Sequence, residues 1–322
     1  MQNNMVDEII NTDKENLLED TTFIVDIDDK NTRIDKYLSD ELADVSRSRI
    51  QKLLDEGMIT VNNNKVKSNY KVAADDIINV HIPELVVPEI VPEDISLDIV
   101  YEDNDIIVIN KPKGMVVHPA AGHYSGTLVN ALMYHCRDNL SGINGVLRPG
   151  IVHRIDMNTT GVIVACKNDY AHNFIAQQLS VHSITRKYYA IVHNQFNNTE
   201  GVVDAPIGRN QSDRKKMAVD KKNGKRAVTH YRVLEQFGKF SYIECQLETG
   251  RTHQIRVHMA SIGHPLLGDD VYGSGKSPFN LCGQTLHAGV LGFIHPTTKE
   301  YVEYSADLPE YFQKVISRLR NS

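Results

Sequence analysis

The feature that most limits the fold of this chain is a series of apolar, strand-like segments that does not alternate regularly with helices. From about residue 94 to residue 319, strand patterning is interrupted by only a few segments with helical spacing. Many strands with few helices and no regular alternation are typical of an α+β domain with a mostly antiparallel sheet. We predict strands at 105–109, 161–165, 187–193, 228–235 and 240–248, and helices at 126–134, 169–179 and 252–262, the last with Thr252 as its N-cap residue.

An acidic stretch spaced by Pro83, Pro88 and Pro92 divides the chain. Prolines at this spacing favour a semi-extended linker over a packed element. Before it, the pattern indicates two short helices and a hairpin. We therefore predict four regions, which are a disordered N-terminus (1–20), a small domain (21–82), a linker (83–96) and a larger domain (97–322).

The distribution of charge matters more than the net charge of −6 at pH 7. Residues 1–32 hold nine acids and two bases, and residues 84–105 hold eight acids and no base. The rest of the chain has 33 Lys and Arg against 24 Asp and Glu, so its surface can face phosphates. The stretch 208–226 has eight bases and two acids, and we predict an exposed loop or hairpin that contacts a phosphate backbone. An ordinary solvated surface is the alternative.

Several functional classes are disfavoured. The four cysteines are far apart and form no C-x-x-C pair, so neither a zinc site nor a disulfide framework is expected. The 14 histidines are dispersed, without H-E-x-x-H, and G-x-S-x-G is missing as well, which argues against a hydrolase or nuclease. We find neither a basic-then-apolar N-terminal run nor an apolar segment of about 20 residues, so we expect a cytoplasmic chain without a membrane partner. We also expect a monomer.

Basic residues cluster where the second helix of the small domain is predicted to begin. Ser46 can cap this helix, Arg47, Arg49 and Lys52 lie in its first turns, and Gly57 ends it. A helix N-terminus that offers free amides and Arg side chains suits a phosphate backbone. We therefore predict that these three cations bind RNA, with a solvated basic helix face as the alternative.

The segment most informative about chemistry is 149–165, where a polar loop leads directly into a buried strand. Asp156 is therefore expected at the edge of the core. In an extended chain Arg154 and Asp156 point the same way, and a nearby cation keeps a partly buried carboxylate ionised. An ionised, poorly hydrated carboxylate is a usable nucleophile. A structural ion pair is the alternative.

A second segment, 248–258, combines a strand end, a glycine turn and a helix start. Arg251 would emerge at this turn beside the helix amides, in a cationic pocket that can hold a phosphate or the carboxylate of Asp156. For His253, Arg256 and His258 we expect only packing or capping of the helix.

His153-Arg-Ile-Asp156 followed by Thr159-Thr-Gly161 resembles the signature of the RluA-type pseudouridine synthases. One departure is Met157-Asn158, where that family usually has Lys-Asp. The similarity covers about 33–320, and the small domain resembles the RNA-binding domain of ribosomal protein S4. This arrangement is similar to the RluD-type branch, which acts on large-subunit ribosomal RNA. Further blocks that resemble the family occur in the family's order at 110–119, 186–190, 249–258, 263–269 and 286–288.

The resemblance implies a mechanism without any cofactor. Asp156 would attack the uracil ring or the ribose anomeric carbon of an extruded uridine, whose base then rotates and bonds through carbon 5. Tyr188 would stack on the base and help to deprotonate carbon 5. Arg251 would pair with Asp156, Arg154 would take the space that the base leaves, and Leu286 would line the pocket with apolar surface.

The implied function is isomerisation of specific uridines in RNA, with 23S ribosomal RNA as the expected substrate and partner. Transfer RNA is the alternative substrate. The alternative function is a non-catalytic RNA-binding factor in ribosome assembly, in which Asp156 has only a structural role.

Overall fold

The computed structural model describes residues 17–42, 45–83, 90–119, 122–137, 139–143, 148–213, 216–273 and 279–321. The chain divides into two compact units, residues 1–87 and 88–322. Over the ranges just given, no helix is both long and apolar enough to cross a membrane.

The N-terminal unit contains two helices and a sheet. Its elements are β1 (Leu17–Ile24), α1 (Ile34–Glu41), α2 (Arg47–Glu56), β2 (Ile59–Val61), β3 (Asn64–Lys65) and β4 (Ile77–Pro83). The four strands lie in the order β1-β4-β2-β3, and every pair is antiparallel. The apolar residues of α1 and α2 fall at helical spacing and pack with those of β2 and β4 in one core. The predicted helices and hairpin are thus confirmed.

The two ends of α2 explain its length. The Ser46 hydroxyl accepts a hydrogen bond from the amide of Arg49, and Gly57 ends the helix in the left-handed conformation with φ of 78°.

The first strand of the unit, β1, begins at Leu17, which pairs with Pro83. The predicted disordered N-terminus is therefore wrong for residues 17–20, because a strand partner was not visible in the local sequence. Residues 1–16 lie outside the described residues.

The predicted linker is packed at its C-terminal end. Ile90 is buried in the core of the C-terminal unit. The Asn130 side chain donates a hydrogen bond to the carbonyl oxygen of Val91, and the amide of Glu93 donates to the carbonyl oxygen of Asn130. The prediction of an unpacked segment is wrong here, since proline spacing does not show what lies beside a segment. Residues 84–89 lie outside the described residues.

The C-terminal unit is built on a large sheet. Its strands are β5 (Ile99–Glu102), β6 (Ile106–Lys111), β7 (Thr160–Cys166), β8 (Thr185–His193), β9 (Glu200–Asp204), β12 (Val228–Phe237), β13 (Phe240–Leu247), β14 (Leu286–Ile294) and β15 (Tyr301–Ser305). A separate hairpin is formed by β10 (Ile207–Arg209) and β11 (Met217–Val219), and the helices are α3 (Leu128–Cys136), α4 (Asp169–Ser180), α5 (Gln254–Ser261) and α6 (Glu310–Arg320). Within the described ranges the sheet order is β5-β6-β7-β14-β8-β13-β12-β9, with β15 beside β14. Since β7–β14 is its one parallel pair there, the predicted mostly antiparallel sheet is confirmed.

The parallel contact between β7 and β14 depends on a glycine. Gly161 has φ of 106°, and a Cβ there would lie 2.1 Å from the carbonyl oxygen of Ala288. Another residue would therefore push the two strands apart. Every residue of β7 is buried, which agrees with its continuous apolar sequence. The loop before β7 is consequently brought beside the start of β14.

The helix predicted at 252–262 is shorter than expected. In the structure α5 begins at Gln254, and His253 occupies the N-cap position with φ of 57° and no side-chain capping bond. The preceding turn is held by Gln254, whose Oε1 accepts hydrogen bonds from the Thr249 hydroxyl and the Arg251 amide. The prediction that Thr252 caps this helix is wrong, because a buried glutamine of the helix itself organises the turn.

A buried carboxylate ties α1 to α2. Asp35 accepts hydrogen bonds from Arg33, from Arg47 Nη2 at 3.0 Å and from Gln51 Nε2 at 2.7 Å. Burial alone would raise the pKa of the Asp35 carboxyl, but these three donors hold that pKa well below its usual range. The same contact fixes the position of the Arg47 guanidinium.

We expect Asp35→Ala to destabilise the N-terminal unit by about 2 kcal/mol, because hydrogen bonds to charged groups are worth about 1.5–3 kcal/mol each. Hydrogen exchange of α1 and α2 amides in the full chain measures this. Because the folded-state pKa of Asp35 is depressed, its contribution is complete above the unfolded value of about 3.9 and is lost as the pH falls below it. Asp40→Ala, which removes an exposed carboxylate of α1, is the control. Equal exchange in both variants would contradict the role given to Asp35.

Candidate active site

Asp156 lies in the turn that leads into β7. The amide of Thr159 donates to the Asp156 carbonyl oxygen at 3.0 Å, which closes the turn just before the strand. The neighbouring Ile155 is buried and Arg154 is exposed. The Asp156 side chain is 18% exposed, so it is neither sealed in the core nor free in solvent. A substrate can therefore reach a carboxylate that is poorly hydrated.

The cation that contacts Asp156 is Arg256. Its Nη1 lies 2.9 Å from Asp156 Oδ2, and its other edge donates two hydrogen bonds to Asp269, at 2.7 and 3.0 Å. Arg251 instead donates its Nε to the carbonyl oxygen of Arg226 at 2.9 Å. The predicted Arg251–Asp156 ion pair is therefore wrong, and so is the expectation that Arg256 only packs.

The residue at which α5 begins explains why Arg256, and not Arg251, contacts Asp156. Because the helix begins at Gln254, Arg251 stays in the preceding turn, while Arg256 lies in the first helical turn and is buried. A buried arginine needs carboxylate partners. That requirement was the available signal in the sequence, together with Asp269 in one of the family-like blocks.

At this site, burial and the neighbouring charges act in opposite directions on the pKa values of Arg256 and Asp269. Burial would lower the pKa of Arg256, but its hydrogen bonds with Asp269 and the charges of Asp269 and Asp156 raise it. Burial would likewise raise the pKa of Asp269, but Arg256 and backbone amides lower it. One guanidinium thus lies between two carboxylates, and Asp156 is the one that substrate can reach.

A second polar group approaches Asp156 from the glycine turn. His253 Nε2 is 3.8 Å from Asp156 Oδ1, and His253 Nδ1 is 2.8 Å from the Tyr272 hydroxyl. Burial lowers the pKa of His253, so the ring is neutral at pH 7. Because the Tyr272 oxygen accepts from the amide of Met217, its proton can be donated to Nδ1. The ring proton of His253 then sits on Nε2, facing Asp156.

A small pocket of about 60 Å³ opens at Asp156. It brings together all five residues predicted for the reaction centre, including Tyr188 from β8 and Leu286 from β14. Sites for small molecules usually exceed about 300 Å³, so entry of a base requires side chains at the mouth to move. The lining residues are Arg154, Ile155, Asp156, Thr159, Tyr188, Leu247, Arg251, His253, Gln254, Ile255, Arg256 and Leu286.

Tyr188 and Leu286 form the apolar side of this pocket. Leu286 is buried, and Tyr188 packs against two of the hydrophobic clusters of the C-terminal unit. Burial raises the pKa of Tyr188, against the opposing charge of Arg186. The phenolate form is therefore disfavoured at neutral pH, which favours a stacking role over a basic one.

Lys111 supports the loop that carries Asp156, a role that was not predicted from the sequence. Its buried Nζ donates to the carbonyl oxygens of Pro112, Met115 and Met157 at 2.8, 2.9 and 3.0 Å. The amide of Gly114 also donates a hydrogen bond to the carbonyl oxygen of Met157, at 3.0 Å. Burial lowers the pKa of Lys111 to about 7. A lysine that ends a buried apolar strand was the only sign of this role in the sequence.

The side chains of the departing pair, Met157-Asn158, lie outside the pocket at Asp156. Met157 contributes its carbonyl oxygen to this support, while its side chain is exposed. Asn158 packs against Gly283, where a Cβ would lie 2.2 Å from Asn158 Nδ2. Neither side chain lines the pocket at Asp156. The unusual pair therefore leaves the pocket wall unchanged.

The cations predicted to bind RNA on α2 have intramolecular contacts. Arg47 pairs with Asp35, Lys52 lies 3.4 Å from Glu56, and Arg49 is half-buried. The Lys52–Glu56 pair is exposed, and pairs of this kind contribute little free energy and exchange readily for other partners. Arg47 keeps the buried Asp35 as its partner, and its side chain is still 48% exposed. These contacts are therefore compatible with binding to phosphates.

The basic stretch 208–226 contains the predicted hairpin, in which β10 pairs with β11. Met217 and Ile207 pack with Val257 of α5 and with Tyr272 in one hydrophobic cluster. The hairpin is thus anchored on the helix that carries Arg256. Residues 214–215 lie outside the described residues.

Comparisons with known proteins identify the family. Residues 105–261 match the family model of RNA pseudouridylate synthases, and residues 32–78 match that of S4 domains. An uncharacterised RNA pseudouridine synthase of Bacillus subtilis, YlyB, is 54% identical over 91% of this chain and 96% of its own length. The chain belongs to the RNA pseudouridine synthase family. The enzyme is therefore an isomerase, and its N-terminal unit carries the predicted RNA-binding domain.

Two further relatives agree. Ribosomal large subunit pseudouridine synthase D of Zymomonas mobilis is 47% identical to this synthase over 89% of the chain and 93% of its own length. The structure of human RNA pseudouridylate synthase domain containing 1 is 26% identical, with a TM-score of 0.53, over 70% of this chain and 96% of that one. These likenesses confirm the expected pseudouridine synthase fold.

We expect Arg256→Gln to lower the rate of pseudouridine formation by about 100-fold or more, as the loss of one stabilising charge does at other active sites. The change also leaves Asp269 buried without its cation, which should cost about 3 kcal/mol of stability. Single-turnover kinetics and thermal unfolding measure the two effects. Arg251→Gln keeps both ion pairs and should unfold like the parent enzyme. If the two variants lost equal stability, the assignment of the ion pair would be wrong.

Proposed function

We propose that this synthase isomerises specific uridines of large-subunit (23S) ribosomal RNA, with Asp156 as the nucleophile. The observation that carries the proposal is the partly accessible Asp156 carboxylate, held at 2.9 Å by Arg256 in a pocket that also contains Tyr188 and Leu286. Relatives named ribosomal large subunit pseudouridine synthase D, from Zymomonas mobilis and Neisseria meningitidis, support the choice of RNA.

The proposed reaction moves a base without any external reactant. Asp156 attacks the uracil ring or the ribose anomeric carbon, and the bond between that carbon and N1 of uracil breaks. The base rotates and carbon 5 bonds to the ribose. The bond between Asp156 and the substrate breaks and frees the carboxylate, carbon 5 loses its proton, and N1 gains a proton. Arg256 orients the Asp156 carboxylate for attack and stabilises its charge again when the bond to the substrate breaks, and Asp269 keeps the guanidinium in place. No cofactor takes part.

The pocket residues then have distinct roles. Tyr188 stacks on the extruded base, and Leu286 excludes water from the reacting charge. Arg154, which is exposed at the mouth, takes the space that the base leaves in the RNA. Arg251 lines the pocket without pairing with Asp156, so it acts on the substrate rather than on the nucleophile.

Tritium release tests the chemistry. The parent enzyme should release tritium from ribosomal RNA labelled at carbon 5 of uridine, because that position loses its hydrogen. Asp156→Asn should release none while it still binds the RNA, and Asp94→Asn, which changes an exposed carboxyl, should behave as the parent. Release by the Asp156 variant would show that the nucleophile lies elsewhere.

The RNA itself is identified by mapping pseudouridines in cells with and without this protein. Loss of a pseudouridine from 23S ribosomal RNA is the expected result. If only transfer RNA lost a pseudouridine, transfer RNA would be the substrate in place of 23S ribosomal RNA. If neither RNA lost one, a non-catalytic RNA-binding factor would be favoured.

We also propose that Arg47, Arg49 and Lys52 bind the RNA backbone at the start of α2, where the S4 domain match supports RNA binding. Changing all three to Gln should weaken binding and reduce its salt dependence by about 0.7–0.9 logarithmic units per lost contact. The matched control removes three positive charges from α6, at Lys314, Arg318 and Arg320. Filter binding over a range of salt concentrations compares them. The same slope in both triple variants would rule out these contacts.

We propose that the enzyme works in the cytoplasm as a monomer. Sedimentation at micromolar concentration tests the oligomeric state. A dimer at that concentration would contradict the proposal.

A further inference from the structure

A second, larger cavity lies beside the pocket at Asp156. Its volume is about 520 Å³, and it shares Arg154, Tyr188, Leu247 and Arg251 with the smaller pocket. A base held at Asp156 would therefore have this cavity as its immediate neighbour. The proposed chemistry at Asp156 assigns no function to it.

Arg186 is the buried cation of this cavity. It is 6% exposed, and its Nη2 donates to the carbonyl oxygen of Glu248 at 2.8 Å. Its Nε is also buried and has no hydrogen-bond partner within the described ranges. A buried donor left without a partner costs about 1–3 kcal/mol, and more when it is charged. An arginine that remains protonated under these conditions favours an anionic ligand.

The backbone around Arg186 is shaped to leave this guanidinium in place. Gly250 lies in the turn beside it, and a Cβ there would approach Arg186 Nη1 to 2.6 Å. A larger residue would therefore displace the charged group. Arg186 also belongs to β8, two residues before Tyr188, so both side chains are carried by the same strand.

The other polar groups of the cavity are suited to an anion. Arg154 and Arg251 also line it, and none of the described residues that line it carries a carboxylate. His153 accepts a hydrogen bond at Nε2 from the amide of Val164, and burial lowers its pKa to about 3. Its ring is therefore neutral, with the proton on Nδ1 available for donation.

We propose that this cavity binds the phosphodiester group that joins the target uridine to its neighbouring nucleotide, through Arg186 and Arg251. The inference rests on the proposed function, because it needs the uridine to occupy the pocket at Asp156. An RNA phosphate supplies the negative charge and the acceptor oxygens that Arg186 lacks, and arginine matches phosphate geometry. Binding of this phosphate would hold the extruded nucleotide at two points, the base and the backbone.

The test measures how the affinity of the full-length enzyme for RNA depends on the salt concentration. The RNA is the transcript from which the enzyme releases tritium. Losing one phosphate contact in a single strand lowers the slope of log affinity against log salt by about 0.7. We expect this decrease for Arg186→Gln, together with a loss of affinity of at least about fivefold. Arg186→Lys should keep the slope, and Arg320→Gln, an exposed change on α6, should keep both slope and affinity.

Phosphate ethylation of the RNA locates the contact without any variant, so it remains informative if Arg186→Gln does not fold. Ethylation removes the charge of one phosphate at a time, and the parent enzyme should reject RNA ethylated next to the target uridine. In Arg186→Gln this rejection should disappear at that position only.

Two results would overturn the proposal. One is an unchanged salt slope in folded Arg186→Gln, which would mean that the cavity holds an uncharged part of the RNA or nothing. The other is tolerance of ethylation on both sides of the target by the parent enzyme. Failure of the proposed function is separate, because it would be seen as absent tritium release whatever the binding slope is.

Discussion

The catalytic unit depends on one guanidinium that serves two carboxylates. Arg256 binds the buried Asp269 with two hydrogen bonds and reaches Asp156 with its remaining edge. A buried arginine with a single monodentate partner would be poorly compensated for the loss of water. The fully buried Asp269 therefore holds the cation, and the more accessible Asp156 gains a fixed countercharge without being sealed from substrate.

The rest of the unit brings these groups together. Gly161 allows β7 and β14 to approach, which places Leu286 beside the loop of Asp156. Lys111 holds that loop directly next to Asp156, through the Met157 carbonyl oxygen. The tight turn before α5 presents Arg251 to two adjoining cavities, of which the smaller contains the carboxylate and the larger contains Arg186. A base and its phosphate would thus meet different chemistry a short distance apart.

Several features could be predicted because their cause is local. The alternating and continuous apolar segments predicted β6, β7, β8, β12 and β13 and the antiparallel character of the sheet, but not β5, β9, β14 and β15. Ser46 and Gly57 marked the two ends of α2. The predictions failed where a distant partner decides. Leu17 is in a strand because of Pro83, and Ile90 is buried because the core of the C-terminal unit receives it.

The sequence by itself indicated the type of chemistry. Its signs were a carboxylate just before a buried strand, a turn with basic residues, a strand with aromatic residues, and blocks that resemble one enzyme family in the right order. Only the tertiary structure decided which arginine faces Asp156. Arg251 and Arg256 are equally basic and close in sequence, and the start of α5 at Gln254 separates them into a turn position and a buried helical position. Residue type sets what a side chain can do, whereas the path of the backbone around it sets which partner it meets.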